Sequence, residues 1–283
     1  MEKQTLFASK SLIFLVGASR GYGRALAVEA AKKWKSVHAD AQLRLVFVGR
    51  DESGMKETGE AAKKELESLS YAIHTLDVAA VDDAFDKLTD LIFASEDLPA
   101  FDAVYLLHNA GWVRPTCYLM NASGEEIRRS VDLNLTSFSI LTSRFLRRLV
   151  ESLPQAAEAS AETQRTVRII QVSSLASIEP FASLPMYCTV KAARDMLLRA
   201  VAAEMEVCDK AKTWDFKTLN WAPGQMVTDM QREVQECEDA NIRRMARDAS
   251  YNVDLGVSAC LMWQLVAEDA YQSGSHVDVT ERR

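Results

Sequence analysis

A serine, a tyrosine and a lysine are spaced so that together they could move a proton to or from a carbonyl oxygen. Tyr187 follows Ser174 by thirteen residues, and Lys191 follows Tyr187 by four. Residues four apart on a helix share one face, so the lysine ammonium would lie near the phenol. A nearby positive charge favours the phenolate, and we expect the pKa of Tyr187 to fall from about 10 toward neutral pH. Such a phenol can donate a proton to a carbonyl oxygen or accept one from an alcohol, while the Ser174 hydroxyl holds the same oxygen.

Each of these residues also has a plainer interpretation. Lys191 alone could be a surface lysine of an amphipathic helix, and Ser173 competes with Ser174 for the same role. The spacing to Tyr187 favours Ser174. The order in which these residues appear, between a glycine-rich turn and a late Pro-Gly pair, makes chance an unsatisfactory explanation.

The glycine-rich turn lies near the N-terminus, directly after a short apolar run. Its glycines allow a tight turn, a close approach of the backbone to a pyrophosphate and tight packing of the following helix against the strand. The helix N-terminus would direct its N–H groups at the phosphates. A simple strand–helix connector is the alternative. We expect cofactor contacts from the whole turn, Gly17, Ala18, Ser19, Arg20, Gly21, Tyr22 and Gly23.

Charged residues near the turn indicate which dinucleotide binds. NAD sites usually place an acidic residue after the second strand, where it binds the ribose 2′-hydroxyl. Here Arg50 stands at that place and Arg20 lies within the turn. Guanidinium groups suit a 2′-phosphate, so we predict NADP(H). Asp51 beside Arg50 belongs to the same predicted site, and solvated surface arginines are the alternative.

Further polar and small residues follow the third and fourth predicted strands. Asp77 could accept a hydrogen bond from the adenine amino group, or it could cap the next helix. Asn109 could bridge backbone groups and line the adenosine pocket. We predict cofactor contacts from Leu76, Asp77, Asn109, Ala110 and Gly111. Asn134 lies on a later helix that could place its side chain, or its carbonyl through a water, near Lys191.

The elements that must position these residues alternate between strand and helix. Short apolar runs predict strands over residues 12–16, 43–48, 72–76, 103–107, 167–172, 216–221 and 276–279. Helical periodicity covers residues 24–35, 57–69, 81–94, 125–150 (as two stretches, the second from near Asn134), 186–207 and 257–268. This alternation predicts a Rossmann-type α/β fold, a doubly wound three-layer sandwich around a mostly parallel, roughly seven-stranded sheet. We expect one domain over residues 1–283, with a substrate lid at 226–252 and an exposed insertion at 154–166.

Composition excludes several other classes of protein. The 283 residues are 48% hydrophobic and carry a net charge of −7, which disfavours a nucleic-acid-binding surface. No apolar run reaches the length of a membrane span, and none has the form of a signal peptide. The five cysteines lack metal or C-x-x-C spacing and are typical of reduced thiols in a cytosolic protein. We expect no metal site.

Taken together, these motifs resemble the short-chain dehydrogenase/reductase family over essentially the whole chain. The glycine turn, Asp77, Asn109-Ala110-Gly111, Asn134, Ser174, Tyr187, Lys191 and Pro223-Gly224 match family positions. The resemblance implies hydride transfer between NADP(H) and a carbonyl, with Ser174, Tyr187, Lys191 and Asn134 as catalytic residues. It also implies that Met226, Val227, Thr228, Asp229, Met230 and Gln231 wrap the nicotinamide end of the cofactor. Further cofactor contacts are expected from Tyr187, Lys191, Pro223 and Gly224, with Lys191 bonding the hydroxyls of the nicotinamide ribose.

Three stretches, residues 191–197, 219–231 and 273–278, resemble more narrowly the family members that reduce a side-chain carbonyl of pterins. That resemblance implies that Asp278 anchors the pterin, and one carboxylate can indeed accept two parallel N–H bonds. The substrate contacts would be Ser174, Leu175, Tyr187, Gly224 and Asp278. A cytosolic homodimer, formed by helices around 134–150 and 186–207, is implied as well. A reductase of broader specificity and a non-catalytic NADP-binding scaffold are the two alternatives.

Overall fold

The structure is a computed structural model that describes residues 8–37, 40–152 and 165–282. Seven strands form a single sheet within these ranges. The inner strands are largely apolar and buried on both faces, as parallel strands require, whereas the two edge strands are only partly buried. The strands are β1 (Lys10–Val16), β2 (Gln42–Gly49), β3 (Ser70–Thr75), β4 (Ala103–His108), β5 (Arg165–Val172), β6 (Trp214–Ala222) and β7 (His276–Asp278).

Helices connect successive strands, and short 3₁₀ turns lie between some of them. The α-helices are α1 (Gly21–Val37), α2 (Glu52–Glu65), α3 (Asp83–Ala94), α4 (Gly124–Val131), α5 (Ser137–Ser152), α6 (Pro185–Val207), α7 (Asp229–Val234), α8 (Ala240–Arg247) and α9 (Leu255–Ala267). Several begin at an acidic or hydroxyl side chain that caps the first turn, as Asp82 does for α3 and Thr228 for α7.

The strand order is β3-β2-β1-β4-β5-β6-β7, and every described strand pair is parallel. The sheet was expected to be mostly parallel, and it is entirely so. The order reverses between β1 and β4, which opens a crevice at the carboxyl ends of the strands. In register, Val16 pairs with His108 and His108 with Gln171, so the residues that follow these positions share one edge of the sheet.

Two apolar layers cover the faces of the sheet. On one face, α1, α2 and α9 pack around Trp34 and Trp263, whose rings meet edge to face at 5.3 Å. On the other, α3, α5 and α6 pack around Phe14, Phe93 and Phe145. The predicted doubly wound three-layer sandwich is therefore confirmed, and its two layers hold the strand ends in place.

Several predicted boundaries were wrong. α2 begins at Glu52 rather than at residue 57, because Asp51 accepts a hydrogen bond from Gly54 N (3.0 Å) and caps the helix. The two helical stretches predicted over residues 125–150 are present as α4 and α5; a π-helical turn at Asp132–Thr136 joins them, so the second begins at Ser137 rather than at Asn134. The cap of α3 is Asp82, not Asp77. Of the predicted insertion 154–166, residues 154–164 lie outside the described residues, and Arg165 and Thr166 begin β5.

Candidate active site

The glycine turn between β1 and α1 is built around two residues with positive φ. Gly17 has a φ of 88° and Gly21 a φ of 55°, a region that side-chain-bearing residues rarely adopt. Gly23 packs so tightly that a Cβ atom there would lie 2.0 Å from the Gly17 carbonyl oxygen. The turn thus delivers the chain into the N-terminus of α1 with its backbone exposed at the crevice, which fits a bound pyrophosphate.

The end of β4 holds this turn in place. The Asn109 amide donates to Gly17 O (2.6 Å), and Ala110 N donates to Val16 O (2.9 Å). A Cβ atom at Gly17 would lie only 2.7 Å from Ala110 N, so the two loops are in direct contact. Asn109 therefore bridges backbone groups, as its sequence position suggested.

The charged residues predicted to recognise the cofactor are brought to this end of the sheet, where they pair with each other. Arg50 lies 3.7 Å from Asp77, and Arg20 lies 3.3 Å from Asp229 of α7. All four side chains are substantially exposed, so these ion pairs are weak and can exchange for a phosphate. Asp77 also accepts from Ala79 N (3.0 Å).

Some predicted cofactor residues have side chains directed elsewhere. The Tyr22 hydroxyl is buried between Ser258 (3.0 Å) and the Trp221 indole N–H (2.8 Å), so this side chain supports the core. The Asp51 carboxylate caps α2. Ala18 is fully buried, and its carbonyl accepts from Thr58 (2.8 Å). Only the backbone of Tyr22 and Ala18 can serve the predicted site.

Ser174 and Tyr187 meet at the adjacent strand end. Ser174 lies two residues after the end of β5, and its Oγ accepts from Ala176 N (3.2 Å). Tyr187 is the third residue of α6, which begins at Pro185. Its buried phenol interacts with the Ser174 hydroxyl and lies 3.7 Å from the Met230 sulfur. Ser173 points into the interior and donates to Asp195 (2.6 Å), which favours Ser174 as the residue of the site.

Lys191 lies behind the tyrosine and is buried. Its Nζ donates to Val172 O (2.6 Å) and is 5.5 Å from the centre of the Tyr187 ring. Burial lowers the pKa of Lys191 well below its usual value, and the positive charge of Arg194 lowers that pKa further. The helix spacing thus places the amine beside the phenol as expected.

The expected fall in the Tyr187 pKa is wrong for this structure. Burial raises the pKa of Tyr187 to about 12, although the charge of Arg194 and the interaction with Ser174 oppose that rise. Loss of solvation outweighs the nearby positive charge, since a phenolate is poorly stabilised in an apolar environment. The phenol is therefore protonated at neutral pH and is set to donate a proton.

The Asn134 side chain forms hydrogen bonds to Trp112 and Ser130 rather than to Lys191. Its amide donates to Trp112 O (2.9 Å) and Ser130 O (3.0 Å), and its Oδ1 accepts from Trp112 N (2.9 Å). The residue sits in the π-helical turn, a feature often found at functional sites. Its side chain positions the loop that follows β4.

The stretch predicted to be a lid, residues 226–252, is held together by bonds between its own residues. Three glutamine amides, from Gln231 (2.6 Å), Gln235 (3.1 Å) and Gln225 (3.3 Å), converge on the Ala246 carbonyl near the end of α8. Thr228 caps α7, Val227 is exposed, and Met230 lies against the Tyr187 hydroxyl. Residues from the stretch 226–231 thus reach the tyrosine.

Gly224 and Asp278 close the opposite end of the crevice. Gly224, which follows Pro223 at the end of β6, has a φ of 81°, and a Cβ there would lie 2.5 Å from Val253. Asp278 pairs in register with Ala222, and its Oδ1 accepts from Thr280 N (2.9 Å) and Thr280 Oγ1 (2.7 Å). β7 lies two strands from β5, so Asp278 stands about 10 Å across the sheet from the Ser173–Ser174 step. Leu175 is exposed at the rim.

The sequence reasoning missed a buried polar network beside the site. Asp195 accepts from Gln171 (2.5 Å), Ser173 (2.6 Å) and Ser177 (2.6 Å), and it bonds to His276 (2.7 Å). Arg194, fully buried as well, was also missed. The sequence did contain a signal for Arg194. It follows Lys191 by three residues and Tyr187 by seven, and residues at these intervals lie on the same face of a helix.

Comparison with known proteins agrees with this geometry. Residues 11–239 match the family model for short chain dehydrogenase. Sepiapterin reductase of Meriones unguiculatus is 32% identical over 93% of this chain and 94% of its own length. Benzil reductase ((S)-benzoin forming) of Bacillus subtilis (strain 168) is 26% identical over 85% of each chain.

The fold is shared with solved structures as well. NAD⁺-bound xylitol dehydrogenase superposes with a TM-score of 0.74 at 13% identity, covering 96% of this chain and 98% of its own. The fold and the site therefore define a nicotinamide-dependent oxidoreductase. The chain belongs to the short-chain dehydrogenase/reductase family. Within the described residues, no helix is both long and apolar enough to cross a membrane.

Proposed function

We propose that this protein is an NADPH-dependent sepiapterin reductase, which reduces the carbonyl of the C6 side chain of a pterin. The observation that carries the proposal is the meeting of the Ser174 hydroxyl with the buried, protonated Tyr187 phenol at the edge where the glycine turn lies. The 32% identity with a sepiapterin reductase over nearly the whole chain supports the choice of substrate. The reactions implied are sepiapterin to dihydrobiopterin and 6-pyruvoyl-tetrahydropterin to tetrahydrobiopterin.

The proposed chemistry assigns one task to each residue. Ser174 donates a hydrogen bond to the carbonyl oxygen and orients it. The bound nicotinamide supplies the hydride. Tyr187 donates its phenolic proton to the oxygen as negative charge develops there, and Lys191 holds the ring in place from behind. Asn134 fixes the loop after β4 that forms one wall of the site.

NADPH rather than NADH is proposed because two arginines flank the end of the glycine turn. Arg20 and Arg50 form only weak, exposed ion pairs, which a 2′-phosphate can replace with stronger charge-assisted bonds. No acidic residue takes the place of Arg50 after β2, where an NAD site would need one. The remaining residues of the turn and of the strand ends would contact the cofactor mainly through their backbone.

Asp278 is the proposed anchor for the pterin ring. Its two described side-chain bonds, both from Thr280, end on Oδ1, and this half-buried residue pairs in register with Ala222, two residues before Gly224. A carboxylate there can accept from the 2-amino group and the ring N–H of a pterin. The exposed Leu175 side chain would cover one side of the ring.

We also propose that the stretch 226–252 acts as the lid of a single-domain, cytoplasmic homodimer. Met230 at the Tyr187 hydroxyl is the contact that supports the lid. On α6, Met196 is more than half exposed, which fits a helix that packs against a second copy. Sedimentation of the purified protein tests the dimer, and a monomer at micromolar concentration would exclude it.

The reaction is tested by following NADPH consumption with sepiapterin. Tyr187→Phe is expected to lower kcat by about 10²–10⁴-fold without weakening NADPH binding, because only the proton donor is lost. Asp278→Asn is expected to raise KM for sepiapterin by about 10-fold or more and to leave turnover of a simple diketone unchanged, since one charged acceptor is removed. A Tyr187→Phe variant that kept the wild-type kcat would refute the mechanism.

A reductase of diketones is the second candidate, and the 26% identity with benzil reductase favours it. The same assay separates the two substrates. If benzil is turned over well, sepiapterin poorly, and Asp278→Asn affects neither, the pterin assignment fails while the reductase assignment stands. Steady NADPH oxidation with either carbonyl substrate would exclude the third alternative, a non-catalytic NADP-binding scaffold.

A further inference from the structure

Arg194 is a buried cation that the proposed mechanism does not yet use. Its side chain is 1% exposed, and it follows Lys191 by three residues and Tyr187 by seven on α6. These intervals put all three side chains on the helix face that packs against the ends of β4 and β5.

The contacts of Arg194 tie three parts of the site together. Its Nη1 donates to Ala110 O (3.1 Å), in the loop that also holds the glycine turn. Its guanidinium lies 4.3 Å from the centre of the Phe138 ring, just after the π-helical turn that carries Asn134. Arg194 is thus fixed between α6, the end of β4 and the start of α5.

The positive charge of Arg194 has no ion-pair partner among the described residues. The neighbouring Asp195 carboxylate is directed at Gln171, Ser173, Ser177 and His276 instead. Arg194 Nε is buried and forms no hydrogen bond within the described part of the chain. Arg168, the other large buried arginine, differs in this respect because it pairs with Asp215.

An unpaired buried charge is costly unless it stabilises something else. Burial lowers the pKa of Arg194 only to about 10, so it stays charged at neutral pH, whereas the pKa of Lys191 falls well below its usual value. The charge of Arg194 is also the largest influence that lowers the pKa of Tyr187. The other groups facing these side chains are the Cys188 thiol, the Ser174 hydroxyl, Asp195 and the neutral His108 ring.

We propose that Arg194 is a positioning residue of this site, which locks α6 to the Ala110 loop and supplies the buried positive charge that stabilises the Tyr187 phenolate. The proposal deepens the function assigned above and rests on Tyr187 as the proton donor. The two basic residues have different contacts: Lys191 Nζ lies over the phenol ring and bonds to the end of β5, and Arg194 adds a buried positive charge on the same face of α6.

The test compares the pH dependence of NADPH-driven carbonyl reduction in wild type, Arg194→Met, Arg194→Gln and Arg194→Lys. Reduction needs the protonated phenol, so the rate falls as pH rises through the Tyr187 pKa. Removing a positive charge raises that pKa, and we expect kcat at pH 7 to be lower by about tenfold in Arg194→Met and Arg194→Gln. Their alkaline limb, recorded only at pH values where circular dichroism shows the protein folded, should begin about one pH unit higher than that of wild type. Burial lowers the pKa of a lysine more than it disturbs an arginine, so the limb of Arg194→Lys should lie between those of wild type and Arg194→Met.

Arg194→Gln and Arg168→Met serve as controls. Gln retains a donor for Ala110 O without the charge, so it separates the electrostatic effect from the mechanical one. Arg168→Met removes an equally buried arginine from β5, six residues before Ser174 and about 20 Å from it, and should leave the limb unchanged. A wild-type limb in folded Arg194→Met or Arg194→Gln would overturn the proposal.

A second readout does not depend on turnover. Protein labelled with 3-fluorotyrosine gives a fluorine resonance for residue 187, which Tyr187→Phe identifies. Without coenzyme, its titration should move to higher pH by about one unit in Arg194→Gln and not in Arg168→Met. If wild type reduces no carbonyl, the proposed function fails, while this titration still decides the role of Arg194. An unmoved titration contradicts it.

Discussion

Two glycines near the candidate site, Gly23 in the β1–α1 turn and Gly111 after β4, differ in whether a side chain could be added without disturbing the fold. Gly23 lies in the first turn of α1, where alanine would ordinarily favour the helix by about 1 kcal/mol. Its Cα, however, faces the Gly17 carbonyl and the Asn109 amide, with no room for a methyl group. Gly111 faces Asn134 and Met230 at ordinary contact distances.

We predict that Gly23→Ala destabilises the protein by about 1–3 kcal/mol and abolishes dinucleotide binding, because the turn must shift to admit the Cβ. A Cβ there would lie 2.8 Å from Asn109 Nδ2, so the bond from Asn109 to Gly17 is lost as well. Urea unfolding and fluorescence titration with NADPH measure the two effects. Gly111→Ala, whose Cβ has its nearest neighbour at 3.6 Å, is the control for unfolding and should lower stability far less. Equal behaviour of the two variants would contradict the packing argument.

The sequence identified residues whose function depends on local spacing and missed those that depend on distant neighbours. Ser174, Tyr187 and Lys191 are recognisable because a strand end and one helix turn suffice to bring them together. The partners of Asp195, and the bond from Arg194 to Ala110, join residues that are up to 84 positions apart. The Tyr187 pKa was misjudged for the same reason, since its burial is set by packing against β5 and the lid.

At the scale of elements, the segment 229–252 is joined to the loop after β4 by acidic side chains. Glu238 accepts from Tyr118 N (2.7 Å) and from the Asn121 amide (2.8 Å). Glu233 pairs with Arg114 at 2.8 Å. These bonds are exposed, so each is weak and can open without disturbing the sheet.

We therefore expect Glu238→Ala to loosen the lid rather than unfold the protein. The Tyr118 amide should exchange its hydrogen about tenfold faster, since the loss of one charge-assisted bond is worth about 1.5 kcal/mol. KM for the carbonyl substrate should rise, while the thermal midpoint stays within a degree or two. Glu236→Ala, an exposed glutamate two residues earlier, is the matched control. Unchanged exchange at Tyr118 would show that the lid is held by other contacts.

All seven strands were predicted from apolar runs, and in the inner strands such a run reflects burial on both faces of the sheet. Helix boundaries were less well predicted. α2 starts early because Asp51 caps it, and the π-helical turn before α5 carries no signal in the hydrophobic pattern. Both errors arise where a side-chain hydrogen bond or a backbone adjustment, rather than burial, decides the structure.

At the scale of the whole molecule, the parallel sheet explains how residues far apart in sequence form one site. Gly17, Asn109, Ser174 and Asp278 each follow or end a different strand, and all strands run in the same direction. The same sheet buries three tyrosines besides Tyr187. Burial raises the pKa of Tyr22, Tyr105 and Tyr271 well above 10.

These tyrosines predict a steep loss of stability in alkali. In the unfolded chain each phenol ionises near pH 10, whereas in the folded chain it keeps its proton to higher pH. The unfolded state therefore binds fewer protons, and the free energy of unfolding falls above pH 10 by about 1.4 kcal/mol per pH unit for each buried tyrosine. Lys191 acts in the opposite direction below pH 10.5, since its pKa is lowered in the folded state and the unfolded chain holds the extra proton there.

Urea unfolding at intervals between pH 9 and pH 11.5 measures this slope. Tyr271→Phe removes one buried phenol and should flatten the loss above pH 10 by about 1.4 kcal/mol per pH unit, whatever it costs at neutral pH. Tyr251→Phe, at an exposed position, should leave the slope unchanged. The comparison rests on slopes rather than on absolute stabilities, so packing effects of either substitution cancel. If both variants kept the wild-type slope, the alkaline transition would have to come from groups other than the tyrosines beneath the sheet.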